Sequence, residues 1–542
     1  MNVQELEMAK YLSRINGDSA RIEDEKQAIA EIMRRKKTSS DSEPGSARFN
    51  DVQGEIDLSS HTTTTTMLRN AIRAQGRILT RGVATPASSA ELLDIGERHV
   101  TKGLGRLVKG IMKKGEGSYV FMDDGRRLLD FTCGIGVANL GILSDILGVC
   151  GADSNAGHCH PKISKAAADQ CMSIVHAQCS IAFHEPYLRL VQKLLPIMPH
   201  PSLDSFFFWN SGSEAVEAAL KMARTFTGRQ NIIAMQGQTY GAMAVTKSKT
   251  IYSQGTMPLM PGVFTAPFPY WHHYNVHPST PTSELTRDAL YQLDLLLSQQ
   301  THPNDTAAIL IEPVIGEGGY VPAPAEYLQG LRAICDKHGI MLIIDEVQSG
   351  FGRTAGSGFF AIQDAGVRPD ILVIAKGLAN GFPLSGIITQ KQWTDKLLPG
   401  SMGGTYAGNA VSCAAACAVA DAMHEEQTLE NVRARSPQLV SFLNGVKAKY
   451  PEFILDVRGK GLMIAMEFAS PTVSKDDVAR NEKAPEKVAA KITAKCLEKG
   501  MLLLTTSVYE TIRFIPPLNI TEADLQKGCQ IFEAAVKEVL EG

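Results

Sequence analysis

The sequence predicts an α/β fold with a mainly parallel sheet in a large domain, followed by a smaller α+β domain. From about residue 98, apolar runs alternate with helical stretches, the pattern of strands joined by covering helices. Four short runs are almost entirely apolar, as expected for strands covered on both faces. They are Phe206–Trp209, Ala307–Ile311, Met341–Ile344 and Ile371–Ala375. From about residue 424, long helical stretches surround strand-like pieces at 453–468 and 501–515, which indicates the second domain.

Composition excludes several classes of partner. The chain has 542 residues, 44% of them hydrophobic and 20% charged, with a formal net charge of -3. This balance is that of a soluble globular protein and does not favour binding to nucleic acid or to an acidic membrane surface. The ten cysteines are scattered without a CxxC pair, which favours free thiols in a reducing compartment. Cys150, His158, Cys159 and His160 match no standard zinc spacing, so we expect no metal.

Two segments before residue 98 differ from the rest. Residues 1–66 are charged and then low in complexity, ending in the run Thr62–Thr66, and we predict a disordered or loosely helical extension. Residues 67–97 begin as a basic segment without acids, which has the composition of a mitochondrial transit peptide but lies inside the chain. Either translation begins at Met67 or the segment is a basic linker, so a cytoplasmic and a mitochondrial location both stay open.

Each of the four apolar runs is followed at once by polar or ionisable residues. These are Asn210 and Ser211, Glu312, Asp345 and Glu346, and Lys376. Ligands in open α/β sheets bind at the carboxyl ends of the strands. The pattern therefore predicts that four strands bring these side chains to one edge of the sheet.

The first of these strand ends has the features of an anion site. Residues 206–224 predict a strand, a turn of small residues and a helix that begins near Ser213. The free amides of a helix start bind anions, and Gly212 permits a phosphate to approach the backbone. A plain capped helix is the alternative, and the Gly-Lys-Ser/Thr ending of a Walker loop is absent.

The third and fourth strand ends supply an acid and an amine. A carboxylate at Asp345 is placed to keep a pyridine nitrogen protonated, with Val347 against the ring face and Gln348 near the phenolic oxygen. Lys376 follows five apolar residues, and burial there lowers the pKa of an amine, as a Schiff-base lysine requires. A helix-capping Asp and a surface Lys are the alternatives, which the combination of the three features disfavours.

Residues 98–540 resemble the class III, or omega, aminotransferases of the fold type I pyridoxal-phosphate enzymes, the group that includes 4-aminobutyrate and acetylornithine aminotransferases. The motifs are NSGSEA at 210–215, EPVIGEGG at 312–319, IIDEVQSGFGRT at 343–354, IAKGLANGFPLSG at 374–386, GGTYAGN at 403–409 and IRFIPPL at 512–518. The resemblance implies a mainly parallel seven-stranded sheet and a homodimer with shared sites. It also implies a small domain formed by 98–165 and 424–542 around a cofactor-binding large domain at 166–423.

The resemblance further implies roles at the cofactor. Lys376 would form the Schiff base with pyridoxal 5'-phosphate and move the proton, and Asp345 would pair with the pyridine nitrogen. Val347 and Gln348 would contact the ring, and Gly212 and Ser213 the phosphate. Thr405 would reach the phosphate bound by a neighbouring subunit.

At the substrate, the resemblance implies that Arg513 binds the α-carboxylate of glutamate or 2-oxoglutarate and that Glu317 neutralises Arg513 for an omega-amino substrate. Ile135 is expected to contact the substrate. An inert Glu317–Arg513 salt bridge is the alternative.

Two departures from the family pattern stand out. The sixteen residues 142–157 separate GIGVANLG at 134–141 from His158, and their deletion would restore the usual VANLGHCHPKI. We interpret them as a retained short intron or gene-model error, or else as a genuine loop near the substrate entrance, which transcript sequencing distinguishes. The region 234–240 is about four residues short. Family members usually have an aromatic-His-Gly-Arg-Thr motif here. In this chain Gln236 and Gln238 stand near the positions of its His and Arg, and Tyr240 is the nearest aromatic residue.

The predicted function is therefore a pyridoxal-phosphate-dependent transamination from an omega-amino acid such as 4-aminobutyrate to 2-oxoglutarate. Acetylornithine, ornithine and other amines are alternative donors. A decarboxylating transaminase, an aminomutase and an impaired family member that acts as a binding protein remain further alternatives.

Overall fold

The computed structural model describes residues 87–140 and 158–542. The predictions for residues 1–66, for residues 67–86 of the basic segment and for the extra residues 142–157 lie outside the described residues. Ser88–Gly542 form one compact unit. The domain boundaries predicted at residues 165 and 423 stay predictions. None of the described helices has the length and apolar character needed to cross a membrane.

The central sheet has seven strands in the order β4-β10-β9-β8-β7-β5-β6. All neighbouring pairs are parallel except those of β10, which is antiparallel to β4 and to β9. The strands are β4 (Ser205–Trp209), β5 (Asn231–Met235), β6 (Val263–Ala266), β7 (Thr306–Ile311), β8 (Met341–Asp345), β9 (Ile371–Ile374) and β10 (Ser385–Thr389). The predicted mainly parallel seven-stranded sheet is confirmed.

Burial along the strands follows their position in the sheet. Every residue of β7, β8 and β9 is buried, as expected for central strands covered by helices on both faces. β4 lies at the edge, and only Phe208 among its five residues is buried. Both faces of β4 are nevertheless covered, as predicted for this run: Phe206 and Phe208 pack into one apolar cluster, and Phe207 and Trp209 pack against another.

Two smaller sheets lie outside the central one. The first has the order β1-β2-β3-β13. Its first three strands lie within residues 112–130, and its fourth comes from residues 501–502. The second has the order β11-β12-β15-β14 and is antiparallel. Their strands are β1 (Met112–Glu116), β2 (Tyr119–Met122), β3 (Arg127–Asp130), β11 (Ile454–Lys460), β12 (Met463–Phe468), β13 (Met501–Leu502), β14 (Leu504–Thr506) and β15 (Thr511–Phe514).

The principal helices cover the sheets. They are α1 (Ser89–His99), α2 (Pro161–Ser173), α3 (Glu185–Leu194), α4 (Gly212–Thr227), α5 (Thr282–Gln299), α6 (Ala325–His338), α7 (Ala410–Glu425), α8 (Thr428–Lys449), α9 (Val488–Glu498) and α10 (Glu522–Glu541). α4 buries one apolar face, including Val216, Leu220 and Ala223, against the central sheet. The N-terminus of α4 is thereby fixed at the edge where the parallel strands end.

Candidate active site

A cavity of about 370 Å³ lies at the carboxyl ends of the central strands. This volume is in the range of small-molecule and cofactor sites. The predicted site residues that line it are Gly212, Ser213, Glu317, Asp345, Val347, Gln348 and Lys376. The structure thus brings together residues that are far apart in the chain, as the polar strand ends predicted.

Lys376 follows β9 directly and has a left-handed backbone conformation with φ of +45°. A non-glycine residue with this φ is strained, and such strain persists where the surroundings fix the backbone. The residue after Lys376 must be a glycine, because a Cβ at Gly377 would lie 2.1 Å from Asn139 Nδ2. Burial lowers the pKa of the Lys376 amine to about 8, against the opposing effect of nearby carboxylates. At pH 7 about a tenth of the amine is therefore neutral, far more than for a lysine with the ordinary pKa.

Asp345 ends β8 and is 4% exposed. Its Oδ1 accepts the N–H of Val347 at 2.9 Å. Burial raises the pKa of Asp345, while that hydrogen bond and the charge of Lys376 oppose the rise. A buried carboxyl of this kind is well suited to bind a cationic N–H group, because such a partner favours its charged form.

Glu312 is a second buried carboxyl in the cavity, and the sequence analysis gave it no role. It accepts the N–H of Thr239 at 2.9 Å and the N–H of Gly316 at 2.8 Å. Burial and the charge of Asp345 raise the pKa of Glu312. The hydrogen bond to Thr239 joins the loop after β5 to the loop that begins at Glu312, and the bond to Gly316 lies within that second loop.

An anion site lies at the start of α4. The Ser211 side chain accepts the N–H of Glu214, and the Glu214 carboxylate accepts the N–H of Ser211 in return. This capping box leaves the next two amides free, since the first N–H groups of a helix lack partners within it. Among the described residues, no hydrogen-bond acceptor meets the N–H of Gly212 or Ser213. Both amides border the cavity and are suited to hold a phosphate.

Val347 and Gln348 line the cavity between the acid and the substrate end. Gln348 Nε2 donates to the carbonyl of Ile135 at 3.4 Å, while Gln348 Oε1 is buried without a hydrogen-bond partner in the described part of the chain. A buried polar atom left unpaired costs free energy, so its presence indicates a missing ligand group. Ile135 itself is 42% exposed and is not among the residues that line the cavity, so its contact with substrate stays a prediction.

The substrate end of the site is formed by an ion pair between Glu317 and Arg513. Arg513 is 4% exposed, and its Nε is buried without a hydrogen-bond partner among the residues that the structure describes. Burial raises the pKa of Glu317, but the charges of Arg513 and Lys249 outweigh it and the pKa is lowered overall. Glu317 is therefore an anion that neutralises the buried Arg513 guanidinium. The Nε of that guanidinium is still available to donate a hydrogen bond.

Lys249 is a second cation at this end, and the sequence analysis did not find it. Its Nζ lies 3.6 Å from Glu317 Oε2. The residue belongs to the irregular segment between β5 and β6, where no periodic pattern marks it. Only the spatial proximity to Glu317 identifies it.

The shortened region 234–240 is tightly packed. Gln238 is fully buried, and its side chain donates to the carbonyl of Glu312 and accepts the N–H of the same residue. The Gln238 amide is thus used by the backbone and is not a substrate-binding group in place of the missing arginine. Tyr240 borders the cavity, but its hydroxyl donates to the carbonyl of Leu310 at 2.9 Å.

Two further predictions concern residues away from the cavity. Thr405 lies in an exposed turn and does not line the cavity of its own chain, and its role toward a neighbouring subunit stays a prediction. His158 pairs with Asp130 at 2.8 Å, and His160 pairs with Glu426 at 2.6 Å. Within residues 87–140 and 158–542, no group of three or more His, Cys, Asp or Glu side chains is arranged to hold a metal ion.

A buried lysine, a buried aspartate on the adjacent parallel strand and a free helix N-terminus define a pyridoxal-phosphate site in an α/β transferase. Residues 105–536 match the family described as aminotransferase class-III. The chain therefore belongs to the class III aminotransferases and is a pyridoxal-phosphate-dependent aminotransferase.

Similar proteins extend over almost the whole described unit. The chain is 37% identical to a 5-aminovalerate aminotransferase of Pseudomonas putida over 81% of its length and 96% of that protein. It is 36% identical to a 4-aminobutyrate aminotransferase of Escherichia coli, over 83% of its length and 99% of that protein. Among solved structures, a taurine:2-oxoglutarate aminotransferase of Bifidobacterium kashiwanohense in complex with PLP and glutamate gives a TM-score of 0.74 at 26% identity, covering 84% of this chain and 99% of that one.

The residues of this chain fit the cofactor. The unpaired Gln348 Oε1 and the free amides of Gly212 and Ser213 provide polar groups that lack partners within the protein. The Lys376 amine and the Asp345 carboxyl supply the two ionisable groups that a pyridine aldehyde requires.

Proposed function

We propose that this aminotransferase transfers the terminal amino group of an omega-amino acid of the 4-aminobutyrate and 5-aminovalerate class to 2-oxoglutarate. The observation on which the proposal depends is the ion pair between Glu317 and Arg513 at the substrate end of the cavity. The relatives described above act on 5-aminovalerate and 4-aminobutyrate according to their names, and the similar solved structure contains glutamate.

The ion pair allows one pocket to accept two kinds of substrate. An omega-amino acid enters amine first and has no carboxylate beside its reacting carbon, so Arg513 must be neutralised by Glu317. Glutamate and 2-oxoglutarate have a carboxylate beside the reacting carbon, and this group can replace Glu317 on the Arg513 guanidinium. Arginine suits this task because its planar guanidinium binds carboxylates in a bidentate manner.

The reacting end depends on the groups around Lys376. When bound, pyridoxal phosphate supplies an aldehyde and an electron-withdrawing ring on which an amino group can be exchanged. The neutral Lys376 amine would take a proton from the reacting carbon of the substrate and deliver it to the carbon of the former aldehyde, on the other side of the transferred nitrogen. The Asp345 carboxylate would keep the ring nitrogen protonated, and the amides of Gly212 and Ser213 would hold the phosphate. Val347 would cover one face of the ring, with the Gln348 amide beside it.

A homodimer with shared sites belongs to the same proposal. Three large apolar side chains near the Thr405 turn are strongly exposed: Ile181 at 85%, Phe183 at 74% and Tyr406 at 66%. Such exposure is unusual for a monomer and favours an interface. The partner subunit's Thr405 would then complete the phosphate site. Light scattering on the purified protein tests this assembly, with a mass near twice 58.6 kDa expected.

A donor and acceptor screen tests the proposed reaction. The purified protein is incubated with 4-aminobutyrate, 5-aminovalerate, N-acetylornithine or ornithine, and with 2-oxoglutarate or pyruvate as acceptor. We expect turnover with the first two donors and a preference of at least about tenfold for 2-oxoglutarate over pyruvate. A preference for N-acetylornithine would support the alternative donor class. A colourless protein that does not bind pyridoxal phosphate would favour a binding protein instead.

A further inference from the structure

Glu317 lies between two cations of unequal burial. One carboxylate oxygen pairs with Arg513, which is 4% exposed, and the other lies 3.6 Å from Lys249 Nζ. The Lys249 and Glu317 side chains are 25% and 20% exposed. The two cations thus meet opposite oxygens of the same carboxylate.

When one substrate replaces the other, the Glu317 carboxylate loses its partner Arg513. In the proposed reaction, the carboxylate of glutamate or 2-oxoglutarate displaces Glu317 from Arg513. The displaced carboxylate is largely enclosed, and an enclosed charge without a partner is unfavourable. Without a second cation, this cost would weaken binding of the acceptor.

We infer that Lys249 is a specificity-determining residue that holds the Glu317 carboxylate while a substrate carboxylate occupies Arg513. This inference rests on the proposed function. The present separation of 3.6 Å is longer than a charge-assisted hydrogen bond of about 2.8 Å. A movement of less than about 1 Å would therefore convert the loose pair into a direct hydrogen bond as Arg513 is released.

A different role for Lys249 would be direct binding of the distal carboxylate of the substrate. The two roles predict different behaviour when Glu317 is made neutral. A lysine that holds Glu317 has no function once Glu317 has lost its charge. A lysine that binds substrate directly keeps its function.

The test compares Lys249→Met with two matched variants. Lys247→Met is the control, since Lys247 lies two residues away and has no ion pair among the described residues. Lys249→Arg restores the charge. Stopped-flow absorbance follows the donor half-reaction with 5-aminovalerate and the acceptor half-reaction with 2-oxoglutarate separately. Calorimetry measures binding of glutarate, an unreactive dicarboxylate, to the holoenzyme.

We expect Lys249→Met to weaken glutarate binding and to lower kcat/KM for 2-oxoglutarate by about tenfold, with less than about a twofold change for 5-aminovalerate. Lys249→Arg should recover most of the loss, and Lys247→Met should behave as the wild type. In a Glu317→Gln background, Lys249→Met should have less than about a twofold effect.

Two outcomes would overturn the inference. One is an unchanged acceptor half-reaction in Lys249→Met. The other is an equal loss in the Glu317→Gln background, which would indicate direct binding of substrate by Lys249. Failure of the proposed function is recognised separately, because the wild type would then show no acceptor half-reaction with 2-oxoglutarate.

Discussion

Asp345 is paired in register with Val373, three residues before Lys376, so the acid and the amine stand at the ends of two adjacent parallel strands. Both side chains line one cavity. The strands on which they stand are fully buried and cannot shift easily against each other. The sheet therefore fixes the separation of the two ionisable groups.

Replacement of Lys376 should abolish cofactor attachment without unfolding the chain. The wild type should show a yellow imine absorbance that borohydride bleaches, and peptide mass spectrometry should then find the cofactor on the peptide containing Lys376. Lys376→Ala should lack the band, because no other amine of the described residues lines the cavity. Lys391→Ala is the control, since Lys391 is an exposed lysine on the surface. A trapped cofactor on another lysine would contradict the assignment.

Cofactor attachment should depend on pH through the Lys376 amine. Burial lowers the pKa of this group to about 8 from the ordinary value of 10.5. Only the neutral amine attacks an aldehyde, so the rate at which apoprotein combines with pyridoxal phosphate should rise as the pH increases and level off above about 9. Rapid-mixing absorbance measures this rate. A rate that continues to rise steeply toward pH 10.5 would show that the amine is not enclosed in the apoprotein.

Asp345→Asn should stabilise the apoprotein while it removes activity. Burial raises the pKa of Asp345 to about 7 from the ordinary 3.8, so at intermediate pH the folded apoprotein binds more protons than the unfolded chain. Stability of the wild type should therefore fall as the pH rises from about 4 toward 7. The amide has no charge to bury, and the variant should gain up to about 2 kcal/mol at pH 8.

Denaturant unfolding of the two apoproteins at pH 5 and pH 8 measures this difference. The gain should be small at pH 5, where the wild-type carboxyl is largely protonated, and larger at pH 8. Transamination by Asp345→Asn should fall by about 10³-fold or more, because the ring nitrogen loses its anionic partner. Equal stability of both proteins at pH 8 would indicate that the Lys376 cation fully compensates the buried carboxylate.

Much of the fold and of the cofactor end follows from local sequence. A short apolar run that ends in a single ionisable residue, as before Asp345 and Lys376, marks both a buried strand and the edge to which it leads. The same pattern predicts that Glu312 lies at this edge, but it does not predict what Glu312 does there. Its function in holding the loop at Thr239 depends on a hydrogen bond across 73 residues, which no local pattern encodes.

The substrate end was less accessible from sequence. Arg458 donates through Nε to the carbonyl of Gly319 at 2.9 Å and pairs with the buried Glu467 at 2.5 Å. These contacts position the loop that contains Glu317, yet Arg458 lies in an ordinary strand sequence. Lys249 lies in a segment without periodicity. Both residues act through long-range contacts, and only the folded chain reveals them.

Arg513→Ala should affect the two half-reactions unequally. The acceptor half-reaction with 2-oxoglutarate should lose about a hundredfold or more in kcat/KM, because a nearly buried cation for the carboxylate is gone. The donor half-reaction with 5-aminovalerate should lose less than about tenfold, since that substrate has no carboxylate beside its reacting carbon. Single-turnover absorbance separates the two steps.

Glu317→Gln should affect the two half-reactions in the opposite order to Arg513→Ala. It leaves Arg513 unneutralised when an omega-amino acid is bound, so the donor half-reaction should suffer more than the acceptor half-reaction. A common loss in both half-reactions for both variants would favour an inert salt bridge over an exchange of partners.

Deletion of residues 142–157 should leave a folded and active enzyme. The chain is anchored on both sides of this segment. The side-chain amide of Asn380 forms two hydrogen bonds with the backbone of Leu140, and His158 pairs with the buried Asp130 at 2.8 Å. Neither anchor depends on the deleted residues. Removal of sixteen residues from a connection lowers the entropy cost of closing it, by about 1 kcal/mol or somewhat more.

A replacement of the same sixteen residues by a Gly/Ser segment of equal length is the matched control. If the segment is a retained intron, the deletion variant should equal or exceed the full chain in stability and in turnover of 5-aminovalerate, while the Gly/Ser variant should resemble the full chain. If the segment is a genuine loop at the substrate entrance, both variants should change the relative kcat/KM of the donors, because the side chains of the loop and not its length would then determine specificity. Donor profiles of the three proteins, measured beside the transcript sequence, distinguish these outcomes.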